Sequence, residues 1–253
     1  MMVHRWQLSD YLDELLCPGR VGDFTPNGLQ VEGRAEIRRL VTGVTASARF
    51  LAEAIEADAD AVLVHHGYFW KGEPAPVTGM KAHRLRLLLR NDINLFAYHL
   101  PLDVHPVFGN NAVLADWLGI QVEEAVEAGG VPGLLWHGQL AGPIDAEAFA
   151  DHLATRLGRW VTPVVAGPHP VRRVAWCSGG GQKFMAAAAA LGVDAYFSGE
   201  ISEPTAHEAR ELGVHYFAAG HHATERGGVQ TLGEHLAAHF GLAHQFIDDA
   251  NPA

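Results

Sequence analysis

The feature that most constrains the fold is an alternation of short apolar runs with helical segments, and the chain carries it out twice. Residues 38 to 45 (RRLVTGVT) read as a buried strand, and Ser47 to Asp58 as an amphipathic helix. Ala61 to Val64 (AVLV) reads as a second buried strand that runs straight into His65, His66 and Gly67. A helix from about Met80 to Asn91 and an apolar strand over 93 to 98 (INLFAY) follow. Continuously apolar strands separated by helices suit a mainly parallel sheet covered on both faces. In such sheets ligand groups collect where the strands end.

The second half repeats the plan with strands over 172 to 178 and 194 to 199, a helix from about Gln182 to Leu191, a helix from about Pro204 to Leu212, and a strand over 214 to 220. Arg39 and Arg173 lie 134 positions apart, as do Asp60 and Asp194, whereas Phe96 and Phe217 lie 121 apart. The helical pairs Ala82-His83 and Ala206-His207 fit the same scheme at 124. These offsets favour an internal duplication over two βα segments of ordinary composition. The Gly-rich stretch 127 to 133 (EAGGVPG) is the best linker, which divides the chain into an N-terminal lobe, 1 to 128, and a C-terminal lobe, 129 to 253. Further elements are a helix from Ser9 to about Leu16 capped by Ser9, a strand at LLWHGQL, and a helix from Asp145 to Leu157. A strand at WVTPVV, a helix from about Val229 to His239 and a last strand HQFI complete the reading.

With 253 residues, 48% of them hydrophobic, the chain can bury one large core or two ordinary ones. No apolar run approaches the roughly 18 residues that span a bilayer, and the N-terminus lacks the marks of a secretory signal, so the expected location is the cytoplasm. A formal net charge of −11 argues against a broad phosphate-tracking surface and hence against nucleic acid as a partner, unless a basic patch lines a concave assembly. Cys17 and Cys177 are too few and too far apart for a disulfide framework or a cysteine zinc motif, and both are expected to be buried thiols. Histidine is the unusual count, with sixteen copies, several clustered beside glycines and carboxylates.

His65 and His66 stand where an α/β sheet presents side chains to a crevice. Neighbours on a strand point to opposite sides, so the pair suits two metal ions better than one. His99 and Asp103 follow the next strand in HLPLDVHP, a loop that Pro101 and Pro106 keep out of a helix interior. Asp103 offers a hard oxygen beside imidazole nitrogen, a mixture acceptable to zinc, iron, manganese, nickel or cobalt; taken alone it would read as a turn residue bonding backbone N–H groups. At the strand end taken as equivalent in the second half stands GHHATERGG. There His221 and Glu225, four apart, would share one face of a helical turn. Three imidazoles and two carboxylates leave positions on two ions for water or substrate, and a water between two metals has its pKa lowered toward ~7, becoming a nucleophile. His99, His222 and Glu200 are candidates to orient ligands or move protons. The glycines of SGGGQKF (178 to 184), with Lys183 nearby, could cradle a phosphate or carboxylate, or make only a tight strand-to-helix turn. His83 and His207 read as surface or packing residues.

The segments PNGLQVEG, VTGVTAS, VLVHHG, YHLPLD with GNN, SGGGQ, DAYFSGE and GHHATERGG occur in an order that closely resembles the Nif three-like dinuclear-metal family, often labelled GTP cyclohydrolase I type 2 homologues. The likeness runs from about Asp23 to the C-terminus, and HHG with GHHATE is its most specific part. It implies two interlinked α/β lobes, a dinuclear centre in a cleft between them, and six copies in a hollow ring. Carried residue by residue, it implies metal ligands at His65, His66, Asp103, His221 and Glu225, with Glu225 bridging two divalent ions. The chain resembles the short form, without the domain that longer relatives insert between the halves. The implied activity is metal-dependent hydrolysis of a purine nucleotide ring or a phosphoester by a metal-bound hydroxide. The alternatives are a non-catalytic metal-binding ring that scaffolds or regulates partners, and a ring acting in DNA repair.

Overall fold

The computed structural model describes residues 2–253. In chain order the strands are β1 (Val3–His4), β2 (Gly28–Val31), β3 (Glu36–Ile37), β4 (Arg39–Thr45), β5 (Ala61–His66), β6 (Asn94–Ala97), β7 (Gln121–Ala128), β8 (Val131–Ile144), β9 (Thr162–Val164), β10 (Val171–Cys177), β11 (Ala195–Ser198), β12 (His215–Ala218) and β13 (Ala243–Phe246). The chain forms two compact units: residues 1–102 with 228–250, and residues 103–227 with 251–253. Among the described residues no helix is long and apolar enough to cross a membrane.

The first unit holds a five-stranded sheet in the order β13-β4-β5-β6-β2. Strands β13, β4, β5 and β6 are mutually parallel and β2 runs antiparallel to β6. One face carries Val41, Val62, Val64 and Leu95, packed in a single apolar cluster with Phe50, Leu51, Leu85 and Leu88 from the two crossover helices Ala48–Glu56 and Gly79–Arg90. Ser47 caps the first of these helices, accepting a hydrogen bond from the Phe50 amide at 3.0 Å. A Cβ on Gly43 would stand 2.4 Å from the Phe50 ring, so the VTGVT run needs glycine for that helix to seat. The helix expected from Ser9 begins at Arg5 instead; His4 is its N-cap and Ser9 is an interior, buried position. Leu8, Leu12 and Leu16 keep helical spacing whichever residue starts the helix, so the apolar pattern placed the body and left the start open.

The second unit holds a six-stranded sheet in the order β7-β8-β10-β11-β12-β9. Its centre, β10-β11-β12, is parallel, and antiparallel strands extend it on both sides. Trp176, Phe197 and Phe217 on one face pack with Phe149, Leu153 and Leu157 of the helix Ala146–Leu157. The Gly-rich stretch taken as a linker is instead the turn of the β7–β8 hairpin, where Ala128 pairs with Val131 and Gly129 and Gly130 adopt positive φ. The units therefore do not follow a single cut at 128/129: the final helix and β13 return to the first unit, where β13 pairs with β4. Of the two cysteines, Cys177 is buried and Cys17 only half-buried, because Cys17 is the left-handed cap of the helix Arg5–Leu16.

Strand registers give the duplication a physical form. Leu40 pairs with Ala61 and Ala61 with Asn94, while Val174 pairs with Ala195 and Ala195 with His215, reproducing the offsets of 134, 134 and 121. Leu29 pairs with Phe96 and Pro163 with Phe217, so the edge strands β2 and β9 belong to the repeat as well. Asp60 accepts the amides of Arg38 and Arg39 at 2.8 and 2.9 Å, and Asp194 accepts those of Arg172 and Arg173 at 2.9 and 2.8 Å.

Candidate functional site

In the first unit, β5 ends on His65 and His66, and β6 is followed by Tyr98 and His99. Each of His65, His66 and His99 offers a nitrogen, and these atoms lie within 4.8 Å of one another. Alternation along the strand does not keep the first two apart, since their ring centroids are 4.6 Å from each other. His65 Nδ1 lies 3.0 Å from the Tyr98 carbonyl. A carbonyl only accepts, so Nδ1 carries the proton and Nε2 the lone pair a metal needs. His66 Nδ1 lies 3.2 Å from Thr45 Oγ1. His99 Nδ1 lies 2.9 Å from Asp23 Oδ1, and the His99 amide donates to Asn27 Oδ1 at 2.7 Å. Burial alone would raise the Asp23 carboxyl, but the bond and charge of His99 hold it below the usual range. His99, expected to assist, thus belongs to the imidazole set itself. Asp23 is a residue the sequence reading missed, and its only signal was its place three residues before PNGLQ.

In the second unit, Asp103 lies in a short helix, Leu100–Val104, which accommodates Pro101 in its first turn where a loop was expected. Asp103 Oδ1 accepts from Ser178 Oγ at 2.7 Å and Asn110 Nδ2 at 2.9 Å, which fixes the carboxylate from two elements. His221 opens the turn His221–Thr224 and Glu225 caps it, bringing His221 Nε2 to 3.1 Å from Glu225 Oε1. On its other side His221 Nδ1 lies 2.6 Å from Glu200 Oε1. Burial pulls the His221 pKa down, but Glu225 and then Glu200 outweigh it and raise it to about 9. Glu200 thus holds the His221 ring from the side opposite Glu225. His222 is buried, and its amide donates to the Ala253 carbonyl at 3.3 Å.

The SGGG loop serves these groups by its lack of side chains. A Cβ on Gly179 would stand 2.1 Å from Glu225 Oε1 and 3.1 Å from His221 Nε2, and one on Gly199 would meet the His221 backbone at 2.5 Å. The amides of Ser178, Gly179 and Gly181 donate to Asn111 Oδ1, Thr224 Oγ1 and the Gly179 carbonyl, which favours the tight-turn reading of this loop over an anion cradle.

The two His-His dipeptides are not counterparts. By register His65 and His66 correspond to Gly199 and Glu200 at the end of β11, whereas His221 and His222 follow β12, the counterpart of β6. GHHATERGG thus stands at the counterpart of the strand end that carries His99 and Asp103, as the offset of 121 between Phe96 and Phe217 indicates.

Two α/β units on one βαβαβ plan, with metal-ligand-type histidines and carboxylates at their strand ends, define a mixed α/β protein whose His/Glu groups could bind a metal. The chain belongs to the Duf34/NIF3 (NGG1p interacting factor 3) family, which it matches over residues 3–252. It is 55% identical over 246 residues, 97% of each chain, to the GTP cyclohydrolase 1 type 2 homolog of Pseudomonas aeruginosa. It is 51% identical over 250 residues, 98% of each chain, to the protein of that name from Escherichia coli. Among solved structures it is similar to protein ybgI, described as of unknown function, at a TM-score of 0.95 and 50% identity, covering 99% of this chain and 100% of that one. A protein from Thermus thermophilus, TM-score 0.90 and 34% identical, covers the same shares.

Proposed function

We propose that His65, His66, Asp103, His221 and Glu225 hold two divalent ions, and that the protein is a metal-dependent hydrolase of a purine nucleotide, located in the cytoplasm and assembled as a homohexameric ring. The observation that carries this reading is the set of three imidazoles whose nitrogens lie within 4.8 Å of one another. All three have their Nδ1 atoms engaged by an oxygen, from the Tyr98 carbonyl, the Thr45 hydroxyl and the Asp23 carboxylate. That is the arrangement of metal-ligating histidines, and the donor set of imidazole and carboxylate suits zinc, iron, manganese, nickel or cobalt. Bound ions of this kind supply Lewis acidity and lower the pKa of water. The chain's own contribution is orientation: Ser178 and Asn110 hold Asp103, Glu200 holds His221, and Asp23 holds His99. The purine nucleotide follows the name of the curated relatives.

The test is to quantify metals per chain in protein purified with its native metal, and to assay GTP and a panel of phosphoesters with the wild type and Glu225→Gln. The expected result is about two ions in the wild type, with fewer ions and turnover lost in the variant. Full turnover and two ions in Glu225→Gln would overturn the ligand assignment. Metal binding without turnover of any substrate would favour the alternative, a ring that scaffolds or regulates partners.

A further inference from the structure

Beside the imidazole set of the first unit stand two aromatic rings that the metal chemistry does not use. Phe24 is 52% exposed, so one face of its ring is open to solvent. Its ring lies 5.7 Å from that of Trp70 at an interplanar angle of 37°. Both rings stand nearly edge-on to His99, with centroids at 5.1 and 5.2 Å and angles of 73° and 82°. Trp70 also reaches His66, at 5.9 Å.

The two rings are held rather than merely adjacent. Trp70 Nε1 donates to the Gly67 carbonyl at 3.2 Å, and the Lys71 amide donates to the Phe24 carbonyl at 2.7 Å. The Phe24 amide donates to Asp23 Oδ1, the same oxygen that faces His99 Nδ1. Between His66 and Trp70 the backbone passes through Phe69 at φ 66°, a left-handed conformation that a bulky side chain adopts only under constraint. Strain of this kind is retained where the surrounding structure over-determines it, and here it delivers the indole to the edge of the histidine set.

We propose that Phe24 and Trp70 form a stacking platform for a planar heteroaromatic ring, specifically the base of a purine nucleotide, next to His65, His66 and His99. The platform rests on the nucleotide reading above and gives it residues. Centroids 5.7 Å apart leave no room for a third ring between the two, so the base lies on the open face of Phe24 with the indole beside it. Stacking offers binding through a π face that every base possesses, while the polar edge of the ring remains available to the imidazoles.

The test uses the metal-loaded full chain and calorimetric titration with GTP, guanosine and inorganic tripolyphosphate. Trp70→Leu and Phe24→Leu should each weaken GTP and guanosine by about 5- to 150-fold, the range expected for one base stacked on an aromatic ring. Tripolyphosphate affinity and metal content should stay unchanged, and Trp70→Phe should keep most of the GTP affinity. Equal weakening of tripolyphosphate, or no weakening of guanosine, would overturn the platform. So would a fall in sedimentation coefficient in both leucine variants, because it would mean that a second copy of the chain covers the rings. If GTP binds in the expected pattern and is not turned over, the hydrolase reading fails and the platform stands. If base-free phosphoesters are turned over and neither GTP nor guanosine binds, the platform fails and the hydrolase reading stands.

Discussion

The parallel strands β4-β5-β6 of the first unit and β10-β11-β12 of the second share a scaffold and differ at their ends. In both, an aspartate at the start of the middle strand accepts two amides from the start of the first strand. In both, the polar residue that opens the third strand pins the loop after the edge strand. Asn94 accepts from the Gly33 amide and donates to the Arg34 carbonyl; His215 accepts from the Ala166 amide and donates to the His169 carbonyl. The strand ends diverge: the first unit presents adjacent imidazoles, and the second presents carboxylates around one imidazole, packed against glycines. Hydrogen-bonded geometry was kept through the duplication while the residues suited to ligation changed, because register depends on a few side-chain acceptors of backbone amides and the strand ends are free to vary.

The comparison can be broken most severely in the cores. Phe96 and Phe217, register counterparts and both fully buried, should each cost ~3–5 kcal/mol on replacement by alanine, read by urea denaturation. A large loss at one and a negligible loss at the other would mean that the repeat is topological only. Next come the shared aspartates. Removing Asp60 or Asp194 leaves two backbone amides without a charged acceptor and should cost ~2–4 kcal/mol at each site. Comparable losses from Asp60→Ala and Asp194→Ala would establish one device used twice; a neutral Asp194→Ala would sink it.

The third prediction separates neighbouring glycines of the second unit. Gly179→Ala combines positive φ with a Cβ 2.1 Å from Glu225 Oε1, so it should lower stability by ~1–2 kcal/mol and reduce metal content. Gly180→Ala, whose Cβ meets nothing closer than 3.8 Å, should do neither. Equal metal loss in both would point to loop stiffness rather than room for Glu225 and His221.

The smallest effect concerns pH and the Asn94/His215 pair. Burial lowers the His215 pKa, against the opposing pull of Asp194 and Glu147 and the bond to the His169 carbonyl. His169, stacked on His215 at 4.0 Å, adds to the lowering through its charge. The folded state therefore binds fewer protons than the unfolded state, so stability is lost as pH falls below about 6.5, the ordinary histidine value. His215→Asn should flatten part of the decline in melting temperature between pH 7 and 5, while Asn94 contributes none. An unchanged acid-side slope in that variant would count against the assignment.

Much of this was legible before the structure. The apolar runs located β4, β5, β6, β10, β11 and β12, since each is buried on both faces and so appears as a continuous hydrophobic stretch. The strand β7 escaped because its sequence, QVEEAVEA, is polar and almost wholly exposed at the edge of its sheet. The turn at Gly129 and Gly130 looked like a linker because a hairpin turn and a linker use the same residues. The pairing of β13 with β4 spans about two hundred positions, and no local signal announces it.

The sequence by itself determined the βαβαβ alternation, its duplication and the residue types at the strand ends, because period, burial and ligand chemistry are written in single side chains and their spacing. Tertiary structure alone decided that His99 joins His65 and His66, that Asp23 and Ser178 orient groups far from them in the chain, and that the group Glu200 orients is His221. Those facts depend on strand register and on side chains meeting across loops, and a change of register by one strand or one residue leaves the sequence pattern intact while moving every partner.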